Sequence, residues 1–109
     1  MLEILNQPAQ IHKTALIYGN TLRLGILHHL NQGSYSRSEL SDLLGVSEAN
    51  LSRQIKFLND EGLIITTILP GRGRPTRYSL DHQVAKELEQ AFLQYIHGGE
   101  MKTSKQSPA

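Results

Sequence analysis

The chain has no cysteine. That excludes a disulfide framework, a zinc ribbon, an iron–sulfur site and a thiol redox sensor. It has almost no net charge, 11 Lys and Arg against 10 Asp and Glu, so overall charge alone implies no partner. No apolar run approaches the roughly 18 to 20 residues of a membrane span. The start, Met1-Leu2-Glu3-Ile4, lacks the basic residues and long apolar segment of a signal peptide, which points to a cytoplasmic protein. Catalytic signatures are missing too. There is no G-x-S-x-G elbow, no phosphate loop and no H-E-x-x-H pair. Glu87 and Glu89 stand two apart on a helical segment and so point to different faces. The expectation is a protein that is not an enzyme and carries no cofactor. What is there suits one small globular domain: 109 residues, 39 % hydrophobic and 19 % charged.

The hydrophobic spacing predicts a mainly α (α+β) chain of about five helices. Gln10 to Tyr18 repeats Ile11, Ala15, Leu16 and Tyr18 at helical intervals. After Gly19, Asn20 is placed to cap a second helix with Leu22, Ile26, Leu27 and Leu30 as its buried stripe, ended by Gly33. Ser36-Arg37-Ser38-Glu39 has the form of a capping box and opens a short helix burying Leu40, Leu43 and Leu44. Gly45 makes a turn that needs positive φ. Ser47 caps a helix from Glu48 to Glu61, with Leu51, Ile55 and Leu58 inward, and Gly62 stops it. The period then changes. Leu63 to Leu69 and Thr76 to Leu80 read as antiparallel strands, a wing of two or three in all, around the turn Pro70-Gly71-Arg72-Gly73-Arg74-Pro75. Asp81 caps a last helix with Val84, Leu88, Ala91, Phe92, Tyr95 and Ile96 in one apolar stripe, closed by Gly98-Gly99. The domain is expected to span 1–98, with a disordered polar tail at 99–109.

Charge distribution is more informative than its total. The nets over residues 1–49, 50–78 and 79–109 are −1, +3 and −1. Arg72, Arg74 and Arg77 bring three of the middle segment's cations within six residues. Such a local basic patch suits a phosphate-facing surface.

The segment from Ser38 to Leu58 looks like a helix-turn-helix. Leu40, Leu43 and Leu44 pack its first helix, Gly45 turns the chain, and Leu51, Ile55 and Leu58 force the other face of the second helix outward. A major groove admits one α-helix, and base edges are read by short polar or forked side chains. Ser47, Asn50, Ser52 and Arg53 are of that kind.

With the strand pair behind it, Asn59-Asp-Glu-Gly-Leu-Ile-Ile65 resembles the recognition-helix end and first wing strand of the ArsR and MarR families of transcription regulators. Gly19-Asn-Thr-Leu-Arg-Leu-Gly-Ile-Leu27 is more similar to ArsR-like proteins than to MarR. Gly71 to Leu80 is similar to the wing of many winged-helix repressors, and the resemblance runs over about 10–97. It implies a winged helix-turn-helix regulator that dimerises through its terminal helices. Within the wing, Arg72-Gly73-Arg74-Pro75 is also similar to the core of the AT-hook motif. Physically, glycines allow close approach, proline keeps the chain extended, and guanidiniums enter a narrow A·T-rich minor groove.

The resulting expectation is a sequence-specific regulator of double-stranded DNA, a homodimeric repressor. Asn50, Ser52 and Arg53 read bases, Ser47 and Lys56 hold phosphates, Arg72 and Arg74 enter the minor groove, and Thr76 and Arg77 support the wing on the backbone. Ile11, Ala15 and Leu16 of the first helix, with Leu88, Phe92, Tyr95 and Ile96 of the last, are the expected dimer interface. Glu48 would complement the helix N-terminus, and Arg23 a structural position. Two alternatives stay open: a winged-helix protein–protein assembly module, and a plasmid or phage replication-control protein. Some ArsR relatives carry a metal site of the form Asp-x-His with His-x-x-Glu. Here Asp81 and His82 are adjacent, and His97-Gly98-Gly99-Glu100 follows 15 residues after His82, so no metal is expected.

Overall fold

The computed structural model describes residues 3–73 and 75–99. Among these, the order is α1 (Ala9–Tyr18), α2 (Thr21–Leu30), α3 (Arg37–Leu44), α4 (Glu48–Asp60), β1 (Ile64–Ile68), β2 (Thr76–Leu80) and α5 (His82–Ile96). This is a winged helix-turn-helix, as the spacing predicted.

Local chemistry explains most boundaries. The Asn20 side chain accepts from the Arg23 N–H, that of Ser47 from Asn50, and that of Asp81 from Val84. Each satisfies a backbone donor that a helix start leaves free. At α3 the capping box is complete: Ser36 Oγ accepts from the Glu39 N–H, and Glu39 Oε1 accepts from the Ser36 N–H at 2.8 Å. The turn between α3 and α4 depends on Gly45 at φ 69°, where a Cβ would crowd the following carbonyl.

The core joins all these elements. Ile17, Ile26, Leu30, Leu40, Leu51, Leu58 and Leu63 are fully enclosed, with Ile55, Leu80 and Leu88 around them. Leu51, Ile55 and Leu58 lie along one face of α4, so burying them fixes which face of that helix looks out. The wing pairs Ile64 with Leu80 and Ile68 with Thr76. A third strand is reduced to one bridge, in which Tyr35 and Tyr78 exchange N–H···O bonds of 3.0 and 2.8 Å. That bridge fastens the wing to the start of α3.

Three expectations need correction. Leu43 is 52 % exposed rather than buried. It lies about 60° around the helix axis from Leu40, and Leu44 about 40° the other way. Leu44 is the one turned toward α2, close to Gly25. Helix α2 ends at Leu30 with Asn31 as its cap, not at Gly33; Asn31 Nδ2 donates to the Leu27 carbonyl, so no glycine is needed there. Ile11 and Leu88 are only 4 % and 6 % exposed. They are buried inside a single chain, where α1 packs on α5, and are not free for a partner. Of the tail expected at 99–109, residues 100–109 lie outside the described residues.

Candidate nucleic-acid interface

Helix α4, the N-terminus of α3 and the wing enclose an open cleft of about 420 Å³, lined by Ser36, Arg37, Ser38, Glu48, Gly73, Pro75, Thr76 and Tyr78. A smaller neighbour of about 260 Å³ continues along α4 past Ser52, Lys56 and Asn59 to Thr66 of β1. Arg37 and Tyr78 line both.

The expected base-reading residues sit together on the outward face. Asn50 and Arg53 are exposed and Ser52 is half-buried. They are tied to one another and to α3. Arg53 Nη2 donates to Asn50 Oδ1. Arg37 Nη1 donates to Ser52 Oγ at 3.0 Å, and Arg37 Nε stands 3.5 Å from Glu48 Oε1. Lys56 pairs with Asp60 one turn on, at 3.2 Å; at such exposure the pair adds little stability, so the ammonium can leave it for a phosphate.

Arg37 was not among the expected site residues. By sequence it stands just inside a capping box, and its neighbours across the cleft are 11 and 15 positions away. Only the crossing of α3 over α4 brings them together. The one available signal was the Arg at the first helical position, where a cation opposes the helix dipole and so calls for a reason. Glu48 accordingly has a second role beside complementing the α4 N-terminus: it is the counter-ion of Arg37.

The wing residues divide. Arg72 is exposed beside Gly71 (φ 121°) and Gly73 (φ 79°). Arg74 lies outside the described residues. Thr76 lines the cleft. Arg77 is turned back toward α3: its Nη2 donates to the Ser34 carbonyl at 2.6 Å and lies 3.2 Å from Glu39 Oε1. The Ser36 N–H, and then the Arg77 guanidinium, hold the Glu39 carboxyl below its ordinary range. Arg77 therefore braces the wing against the capping box instead of lying free on its edge.

Residues 20–66 match the family model of the bacterial regulatory protein arsR family. That segment is similar to the helix-turn-helix of this family. The match begins at the α2 cap and ends inside β1. Solved structures extend the likeness well beyond it. HlyU from Vibrio cholerae is 25 % identical, with 86 % of this chain and 98 % of that one covered at a TM-score of 0.62. The transcriptional regulator HlyU from Vibrio vulnificus is 26 % identical, with 80 % and 86 % covered at 0.57. The transcriptional repressor BigR from Xylella fastidiosa shares the fold at 24 % identity, with 84 % and 87 % covered at 0.57. Comparison with curated proteins found no match. The matched family is described as one of bacterial regulatory proteins.

Arg23 has the structural place expected of it. Its guanidinium lies 4.0 Å over the Phe57 ring, and it donates to Gln54 Oε1 at 2.9 Å and to the Leu16 carbonyl at 2.5 Å. It thus ties the end of α1 to the inner flank of α4. Among the described residues, no group of three or more His, Asp or Glu gathers into a metal-binding cluster. Asp81 is engaged as the α5 cap, and His82 and His97 stand at opposite ends of α5, about 20 Å apart at 1.5 Å per residue. No helix among the described residues is long and apolar enough to cross a membrane.

Proposed function

We propose that this chain is a homodimeric, sequence-specific repressor that places α4 in the major groove and the tip of the wing in the minor groove. The observation that carries the reading is the fixed outward face of α4. Burial of Leu51, Ile55 and Leu58 turns Asn50, Ser52, Arg53 and Lys56 to the surface, and the bridge between Tyr35 and Tyr78 holds the wing beside them. Ser47, at the start of α4, contacts a phosphate in this reading, Arg72 and Arg74 enter the minor groove, Thr76 meets the backbone, and Arg77 holds the wing in place from behind. Arg37 joins them as a cleft cation.

Dimer formation is supported by the apolar surface on α1 and α5. Leu93 and Ile96 are 50 % and 53 % exposed, beside half-buried Phe92 and Tyr95 and exposed Ala15 and Leu16. Repression is part of our proposal; BigR, which shares the fold, is a transcriptional repressor.

Fluorescence anisotropy with a random duplex of about 30 base pairs tests the DNA reading. Micromolar or tighter binding that falls steeply with salt is expected, with weaker binding and a flatter salt slope when Arg72 and Arg74 are both replaced by Ala. Absence of binding at low salt would sink the reading.

A further inference from the structure

The core holds the root of the wing. Ile64 and Leu80, paired with each other, are buried there, and the Asp81 N–H donates to the Leu63 carbonyl at 2.8 Å. The rest of β1, Ile65 to Ile68, is exposed. Two strands alone are marginal in water, so the angle of this hairpin depends on what touches β2. At the far end the Leu69 N–H donates to the Pro75 carbonyl at 2.7 Å, which makes the tip follow the strands.

What touches β2 is the start of α3. Tyr35 and Tyr78 exchange their backbone bonds. One residue nearer the tip, the Arg77 guanidinium makes three contacts in one place. Nη2 donates to the Ser34 carbonyl at 2.6 Å, Nε donates to Ser34 Oγ at 3.3 Å, and Nη2 stands 3.2 Å from Glu39 Oε1. That carboxylate oxygen is itself held. It accepts from the Ser36 N–H at 2.8 Å, while Ser36 Oγ accepts from the Glu39 N–H at 3.1 Å. An exposed ion pair is worth little when two long side chains must be ordered to make it. Here the capping box has already ordered one partner, and a backbone carbonyl holds the other. The contact is part of a network, the case in which surface charges do fix geometry.

Glu39 stands where charge alone would not put it. Ser36, Arg37 and Ser38, the three residues before it, line the cleft that faces the wing. A carboxylate so close to a phosphate-binding surface repels a duplex.

We infer that Glu39 is a positioning residue for DNA binding: through Arg77 it sets the wing against α3, and its carboxylate strengthens the grip on a duplex although its charge opposes it. Glu39 need touch no DNA. The offset between α4 and the wing tip is fixed before the duplex arrives, so ordering the wing costs nothing at the moment of binding. This rests on the DNA-binding reading above and adds the residue that keeps its two contact elements in register.

Anisotropy titration of the full chain with a random duplex of about 30 base pairs tests it. Glu39→Gln removes a negative charge and keeps a side chain that completes a capping box. Arg77→Met removes a positive charge and keeps the aliphatic stem. Charge alone would tighten binding in the first variant and weaken it in the second. Positioning predicts one sign for both. Each should weaken binding about threefold or more, and the double variant should be no weaker than the more affected single one. Both losses should vanish in a chain that also carries Arg72→Ala and Arg74→Ala, because a wing that no longer grips has no placement to lose. Circular dichroism should show the native helix content throughout. Tighter or unchanged binding by Glu39→Gln overturns the inference and leaves DNA binding standing. So does a loss of equal size with and without Arg72 and Arg74, which would mark a general effect on the fold. Should Glu39→Gln melt α3, Arg77→Met decides by the same comparison, since loss of a mere cation weakens both backgrounds alike. If the native chain binds no duplex, the DNA-binding reading falls and this inference with it.

Discussion

Tyr18 shows how one side chain can work against the fold that holds it. Its hydroxyl is covered by the packing of α1 on α5 and has no hydrogen-bond partner among the described residues, while its ring leans on Phe92 with centroids 6.1 Å apart. Burial, and then the nearby Glu89 carboxylate, push its pKa up to about 12. A covered hydroxyl without a partner costs about 1–3 kcal/mol of desolvation, whereas the ring gains from burial. Tyr18→Phe should therefore stabilise the protein, by up to about 1 kcal/mol, in urea unfolding at neutral pH. The sign in alkali follows from linkage. A group whose pKa is raised on folding gives stability that is whole below its unfolded value, near 10, and is lost as pH rises toward 12. The melting temperature of the native chain should fall across that window more steeply than that of Tyr18→Phe. A less stable phenylalanine variant would mean that the hydroxyl has found a partner.

At the scale of elements, the turn between α3 and α4 is the joint on which the site depends. Gly45 sits at φ 69° with no other residue near where a Cβ would go, so substitution meets only the local crowding of a left-handed backbone. Gly45→Ala should cost about 1–2 kcal/mol, and Gly45→Asn less, because asparagine tolerates this region better; thermal unfolding of the two variants measures the difference. An alanine variant as stable as the native chain would show that the turn can re-form with negative φ. This joint was legible in the sequence, and so were the caps at Asn20, Ser36, Ser47 and Asp81, for one reason. A cap or a left-handed turn is settled among residues three or four apart. What lay between distant elements was not legible. Arg37 meets Ser52 and Glu48 only where helices cross, and Arg77 turns back to Ser34 across 43 positions. Leu43 had the right spacing for burial, but α3 is eight residues long and its core contact narrows to the side of Leu40 and Leu44.

For the molecule as a whole, the apolar stripe expected on α5 divides: Leu88 is buried within the chain, while Ile96 is exposed and Phe92 and Tyr95 are half-buried, with Ala85 and Leu93 widening it on either side. One edge, Ala85 and Leu88, is buried within the chain, and periodicity does not say where intramolecular burial stops. The remaining edge, Leu93 and Ile96 with half-buried Phe92 and Tyr95, stays accessible, and Ala15 and Leu16 of α1 are exposed as well; grouped apolar side chains of this kind suit contact with a second chain. Two chains joined there by a two-fold axis would set two α4 helices toward half-sites about 34–36 Å apart on one face of the duplex. Leu93→Glu combined with Ile96→Glu should give a folded monomer, since both side chains already face water. Sedimentation should show half the native mass, and circular dichroism an unchanged helix content. The affinity for a selected two-half-site duplex should drop on the order of a hundredfold, because each half-site must then be bound without the local concentration its neighbour supplied. Binding to a single half-site should hardly change, as α4 and the wing are untouched. If the variant sediments as a dimer, the copies meet elsewhere, and the spacing of half-sites must be worked out from that other surface.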